Sequence, residues 1–262
     1  MLFTDGTIST ADNLTGYESE LRAVASAEGI DLEIKLRLAQ TEIGVELLAA
    51  SVLPDTVSSR TVFKLNQVVV TDALRLWHIF HTLAIIYRDA YNRRLNDKYL
   101  PKWKEYRELA EIASGQYLAI GVALSLNPLP APAAPVIESV AGGSLPTATY
   151  FVRTTWLNAA GQESAPSPTQ AKALAAGQLP RVSQAPSSAS ASALQAPPPA
   201  QATGWFLYMG SESGGEQRQS GAPLALGASW TMPVGGLVAG AALPEGQPPD
   251  LLRPVPRTLQ RG

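Results

Sequence analysis

The sequence predicts a multidomain α and β chain. The expected order is an N-terminal helical bundle of about four helices (1–126), a Pro-rich linker (127–135), a β-sandwich (136–245) and an extended C-terminal arm (246–262). Three observations predict it. Residues 68–113 carry two successive helical patterns, one apolar almost all round and one with a single apolar face. Composition then switches: of 21 prolines, only Pro54 and Pro101 precede residue 128, whereas 29 of the 42 charged residues lie in 1–122. Beyond the switch, short β-branched and aromatic runs alternate with turn residues.

In the front half, Ser9 to Asp12 offer N-cap chemistry and Thr15 a second start, followed by Leu14, Tyr17, Leu21, Val24 and Ala25 at helical spacing up to Gly29. Asp31 can cap a second helix, whose apolar content is Leu32, Ile34, Leu36, Leu38, Ile43, Leu47 and Leu48. Residues 55–67 read as either a loop or a short helix. A third helix is expected from about Val68 to Leu95. Leu74, Trp77, Ile79, Phe80, Leu83, Ile86 and Tyr87 cannot share one stripe, so this helix must be covered on several sides. Asn96-Asp97 either ends it or kinks it. Pro101 suits the first turn of the fourth helix, where a missing N–H costs little. Tyr99, Trp103, Tyr106, Ala110 and Ala113 form that helix's apolar face, and Trp77 and Trp103 are expected to anchor the bundle. Tyr117–Leu126 reads as helix or as a strand leading out.

The stretch NPLPAPAAP, 127–135, favours an extended, semi-rigid chain. Thr149–Trp156 and Gly204–Gly210 are the strongest strands. In the first, Tyr150, Val152 and Thr154 fall on one face, and Phe151, Arg153 and Thr155 on the other. Residues 183–203 are of low complexity, with their ends expected to pair in a sheet and their middle to loop. Short strands at roughly ten-residue spacing, without a cysteine pair, predict a small disulfide-free sandwich. The final stretch, Gly246–Gly262, holds four prolines and three arginines and is expected to extend rather than build a core.

The chemistry-bearing residues exclude more than they suggest. Cysteine is absent, which removes disulfides, thiolate metal sites and cysteine nucleophiles. His78 and His81 stand at i, i+3, yet both lie in an apolar run with no third histidine in the chain. A hydrogen-bonded or packing role is therefore preferred over a zinc site, and a metal-dependent enzyme built on them is set aside. No phosphate-binding glycine loop or nucleophile elbow occurs. The expectation is a protein without catalysis, cofactor or metal. Its first residues lack the features of a secretory signal, and the run 73–87 is too short to span a bilayer, so no membrane is expected. One charge pattern stands out. Arg88, Arg93, Arg94, Lys98, Lys102, Lys104 and Arg107 give residues 88–107 a net +4 in an otherwise acidic half. The ordinary reading is a solvated face with i, i+4 pairing; the sharper one is a basic surface facing a polyanion or an acidic partner.

Two stretches carry a resemblance. Tyr87-Arg88-Asp89-Ala90-Tyr91-Asn92 through Leu95-Asn96-Asp97-Lys98-Tyr99, with Lys102–Tyr106 and Leu109-Ala110, resembles the helical core of head-to-tail connector (adaptor) proteins of tailed bacteriophages. Tyr150–Pro166, with Ala202–Trp205 and Ala222–Gly227, is similar to an immunoglobulin-like or fibronectin-type module of phage structural proteins. The resemblance implies a virion protein of the neck that forms a ring, commonly twelvefold, beneath the portal. Such a ring extends the DNA channel, passes DNA without sequence specificity, and docks a tail or nozzle protein. The seven basic residues become candidates for subunit or channel contact, with subunit contact preferred. Leu251, Leu252, Arg253, Arg257 and Arg261 become candidates for an arm that contacts the portal. The β-module between bundle and arm departs from simpler connectors. The rival reading is a tail-fibre, baseplate or capsid-decoration protein whose β-module binds a host glycan.

Overall fold

The computed structural model describes residues 1–52, 62–94, 97–184 and 197–255. It contains five α-helices and a set of antiparallel sheets, divided into two compact units. One unit is helical and comprises Gly6–Leu126 together with the chain from Pro249; the other is β and comprises Met1–Asp5 and Asn127–Pro248. The chain therefore passes between the units three times.

In the helical unit, α1 (Ala11–Thr15) opens on a capping box. The Asn13 amide donates to Thr10 Oγ1 and the Thr10 amide to Asn13 Oδ1, at 3.3 and 2.9 Å. A break follows before α2 (Leu21–Glu28), which Gly29 ends in a left-handed conformation with φ 61°. The single helix expected over this region is thus two short ones. Asp31 caps α3 (Leu32–Val52) by accepting from the Ile34 amide at 3.1 Å, as the sequence suggested. Residues 55–61 lie outside the described residues, and Leu65–Gln67 form a 3-10 turn. Val68 and Val69 do not begin a helix: they bridge to Leu124 and Ala123, and α4 (Asp72–Arg94) starts four residues later than expected.

The pattern that wraps α4 in apolar residues is explained by its neighbours. It packs against α2, α3 and α5 (Leu100–Ile120), and Leu74, Trp77, Ile79, Leu83, Ile86 and Ala90 are buried. Pro101 sits in the first turn of α5. Rings pair along α4 and α5 in opposite sequence order, from Tyr91 with Trp103 to Trp77 with Tyr117, so the two helices run antiparallel as a hairpin.

At the end of α5 both alternatives for 117–126 hold in turn: helix to Ile120, then strand β1 (Val122–Leu124). Gly121 makes the switch at φ 114°, where a Cβ would stand 2.9 Å from the Arg253 carbonyl carbon. Only glycine fits there.

In the β unit, a three-stranded sheet has the order β2-β5-β8 (Val136–Ala141, Gln178–Ser183, Ser229–Thr231). A four-stranded sheet has the order β4-β3-β6-β7 (Gln170–Leu174, Ala148–Asn158, Ala202–Gly210, Gln217–Arg218). All pairings are antiparallel. Both sheets contribute to one apolar core: Tyr150, Val152, Trp156, Trp205, Leu207 and Met209 from one, Leu179 and Val182 from the other. The ends of the low-complexity run pair as expected, Ser183 in β5 and Ala202 in β6, while 185–196 lie outside the described residues.

Two stretches fall differently from the expected boundaries. Residues 1–5, expected with the helices, group with the β unit, where Leu2 and Phe3 are buried. The stretch 127–135, expected as a linker, is held in the same unit. Leu129 is fully buried, its amide donates to Gln247 Oε1 at 2.9 Å, and the Ala131 amide donates to Asp5 Oδ1 at 2.9 Å. A proline-rich backbone makes no ladder of its own, so side-chain acceptors satisfy its remaining N–H groups. Burial raises the Asp5 pKa above the usual carboxylate value, and the hydrogen bonds it accepts from the Ala131 and Leu2 amides only partly oppose it.

Candidate functional site

The stretch that carries the connector resemblance folds as the α4–α5 hairpin. Its interior is a ladder of rings. Tyr91 stacks on Trp103 at 5.7 Å, Tyr87 on Tyr106 at 5.6 Å, and Phe80 on Tyr106 at 6.5 Å, while Tyr17 meets Phe80 edge-on at 5.3 Å. Trp77 is 1% exposed and Trp103 partly buried.

Glu18, from the break between α1 and α2, ties into this ladder. Its carboxylate accepts from the Tyr106 hydroxyl at 2.8 Å and pairs with the Lys102 ammonium at 3.0 Å. Burial opposes the charge, but Lys102 and Tyr106 outweigh it and hold the carboxyl below its ordinary value. The hydrogen bond to Glu18 raises Lys102 in return. Burial, with Glu18 beside it, pushes the Tyr106 hydroxyl far above its usual range. Nothing local in the sequence points to this tie, because its partners lie 84 and 88 residues away.

The two histidines diverge. His78 is fully buried, with Nε2 3.0 Å from the Leu36 carbonyl and Nδ1 3.1 Å from Ser9 Oγ. A carbonyl only accepts, so Nε2 carries the proton and Nδ1 accepts from the serine. Desolvation dominates and lowers the His78 pKa to about 4. His81 points instead to Glu42, 2.7 Å away on α3. Both ring nitrogens of His78 are thus engaged within the fold, in the hydrogen-bonded arrangement preferred from the sequence.

The basic candidates whose side chains are described do not gather into one patch. Arg88 and Arg107 rim a cleft of about 320 Å³ whose walls include Glu46, His81 and Trp103. Burial raises the Glu46 carboxyl there, against the nearby His81. Arg107 lies 3.7 Å from Glu111. Lys98 and Lys102 rim a second cleft beside α2 with Glu18 and Glu20, and Lys98 sits 5.5 Å from the Tyr99 ring centre. Arg93 donates to the Glu28 carbonyl and lies 3.9 Å from Asp89, whose carboxylate also holds Lys35 at 2.9 Å. Lys104 is exposed and, like Arg88, has no ion-pair partner among the described residues. The Arg94 side chain lies outside the described residues.

Of the arm candidates, Leu251, Leu252 and Arg253 form strand β9 (Leu251–Arg253), which pairs antiparallel with β1. Asp250 fixes the register: Oδ2 accepts from the Leu126 amide at 2.7 Å, and its own amide donates to the Leu124 carbonyl at 2.9 Å. Arg253 lies over the Phe63 ring at 5.9 Å. The segment is extended, as expected, but docked on its own helical unit. The three-residue apolar run of β1, Val122 to Leu124, was the only cue to a partner strand. Arg257 and Arg261 lie outside the described residues.

The feature most informative about function is α3. Leu36, Ala39, Ile43 and Leu47 are fully buried, while Ile34, Leu38, Val45 and Leu48 form an exposed stripe on the opposite side of the same helix. The sequence reading groups Ile34, Leu38 and Leu48 with the core positions of this helix and does not single out Val45. On α5, Ile112, Gly115, Gln116 and Ala119 line a shallow groove, with Ile120 exposed beside it. Among the described residues, no helix is long and apolar enough to cross a membrane.

No protein-family model matches this chain, and no curated protein matches it at a significant level.

Proposed function

We propose that the protein is a structural virion protein, a head-to-tail adaptor whose helical unit assembles into a ring below the portal of a tailed bacteriophage. The observation that carries the reading is the exposed stripe Ile34, Leu38, Val45 and Leu48 on α3. Large apolar side chains aligned on one face of a helix are the mark of an association surface. The residues that resemble connectors support it, because they build the aromatic ladder that stiffens the hairpin. In this reading the five helices act as a bundle and the two sheets as an immunoglobulin-like sandwich on the outside of the neck. The ring is twelvefold by resemblance. It touches the portal on one side and a tail or nozzle protein on the other, and DNA passes through without sequence readout. The protein works without catalysis or a cofactor.

The test is localisation in particles. Immunogold labelling of purified virions should place the protein at the head–tail junction. Label on fibres, baseplate or capsid surface would instead favour a decoration or host-glycan role for the β unit.

A further inference from the structure

We infer that the cleft between α3 and α5 seats the side-chain ridge of a partner protein's helix, one whose first turn is acidic and whose last turn is basic. The cleft itself carries the inference. It rests on the neck reading only for which neighbour, portal or tail, supplies that helix.

The cleft is the fourth side of α4. On one side Ile79, Leu83, Ile86 and Ala90 share a core with Leu14, Leu21 and Ala25 of α1 and α2. On a second, Phe80, Tyr87 and Tyr91 meet the rings of α5. On a third, His78 and Asp89 meet the Leu36 carbonyl and Lys35 of α3. Trp77, His81, Ala84, Ile85 and Arg88 fall on the remaining side, and these are the α4 residues that line the cleft. From Trp77 to Arg88 it runs for about 16 Å, or three turns of helix. Its floor is narrow: Trp77, Ala84 and Ile85 are 1%, 7% and 3% exposed. Such a slot admits a row of side chains rather than a backbone, and a helix laid over it presents that row at i, i+4 and i+7.

Charge selects the occupant. Tyr87 stacks on Tyr106 and Tyr91 on Trp103, so Arg88 and Arg107 stand level with each other at one end. Arg88 has no ion-pair partner among the described residues. Arg107 has Glu111 at 3.7 Å, both side chains exposed, an ion pair that water weakens. Two guanidiniums offered from two helices suit a carboxylate. At the other end stands Glu46: Lys35 pairs with Asp89 and His81 with Glu42, which brings Glu46 level with Trp77. Glu46 also lacks an ion-pair partner among the described residues, and burial raises its carboxyl, a cost that a bound cation would relieve. The slot is therefore basic at one end, apolar along its floor and acidic at the other. An acidic first turn and a basic last turn are the polarity that a helix dipole favours. A DNA strand is charged alike along its length and would meet Glu46 and Glu111.

The test is calorimetry of the full chain with two synthetic amphipathic helices. Both carry leucines at i, i+4 and i+7 and lysines in the last turn; one has glutamates in its first turn, the other lysines. The glutamate peptide should bind roughly tenfold tighter than the lysine peptide. Arg88 and Arg107 are exposed, so Arg88→Glu with Arg107→Glu should keep the wild-type circular dichroism and melting temperature while inverting that order. Ser114→Trp, which fills the slot, should abolish binding of both peptides. No binding of the glutamate peptide at about 1 mM, equal affinities, or an order unchanged in the double variant would overturn the inference. So would wild-type self-association in sedimentation velocity that Ser114→Trp abolishes, because the occupant would then be a second copy. The predicted peptide order, with virion label away from the neck, would leave the slot standing and remove the neck assignment.

Discussion

The two units bury their apolar side chains in different ways. In the β unit, Trp156, Trp205, Leu207 and Met209 share one core with Leu179 and Val182, and among the described residues the large apolar ones left exposed are Leu226, Val234 and Val238, all outside its strands. In the helical unit, α3 is apolar on two opposite sides and only one of them is covered. Two sheets can cover each other's inner faces. A helix with two apolar sides needs a neighbour on each. This contrast is why the proposed association surface is placed on the helical unit and not on the β unit.

The largest effect that could break this contrast is at the cores. Trp77→Ala should cost the helical unit about 3–5 kcal/mol, and Trp205→Ala should cost the β unit a similar amount. Denaturant titrations followed by far-UV circular dichroism would read both. If Trp77→Ala unfolds nothing yet blocks assembly, the ring faces a neighbouring copy and the packing described here fails.

A pH titration sharpens the contrast further. The folded-state pKa of His78 lies below its unfolded value of 6.5, at about 4, because burial disfavours the charged ring. A lowered pKa means that the unfolded chain takes up the proton first. The stabilisation is therefore complete above pH 6.5 and is lost as pH falls toward 4, by on the order of 3 kcal/mol. Glu18 acts in the same direction at lower pH, since its stabilisation needs the ionised form and is lost on acidification. The helical unit should melt earlier than the β unit as pH drops from 6.5, and His78→Gln should flatten that dependence. Calorimetry at stepped pH reads it.

Smaller effects probe the docked C-terminal strand and the Glu18 tie. Gly121→Ala forces a Cβ against the Arg253 carbonyl at positive φ and should cost about 1–3 kcal/mol. Hydrogen exchange should show β9 released first. Glu18→Gln removes the ion pair to a partly exposed Lys102 and should cost about 1 kcal/mol.

Local signals explain what could be read from the sequence. Asp31 as a cap, Pro101 in a first turn and the alternating faces of β3 each depend on residues within a few positions. The α and β content followed from period and composition. What escaped depends on long-range partners: Glu18 under Tyr106, residues 1–5 in the β unit, and β9 on β1. The stripe on α3 escaped for another reason. A helix apolar on two opposite sides shows no single face, so Ile34 and Leu36 read alike until burial separates them. The basic cluster reads as one block in sequence because its residues fall within one short stretch, 88–107, but a helix hairpin spreads neighbouring residues around its circumference.

The central claim is that the helical unit builds a closed ring in the virion. Its most direct measurement is the subunit count and symmetry of this protein in averaged particle images. The account predicts a single rotational symmetry at the neck, twelvefold by resemblance, with the exposed stripe of α3 covered by a neighbouring copy. Trimers on fibres, or isolated copies on the capsid, would contradict it.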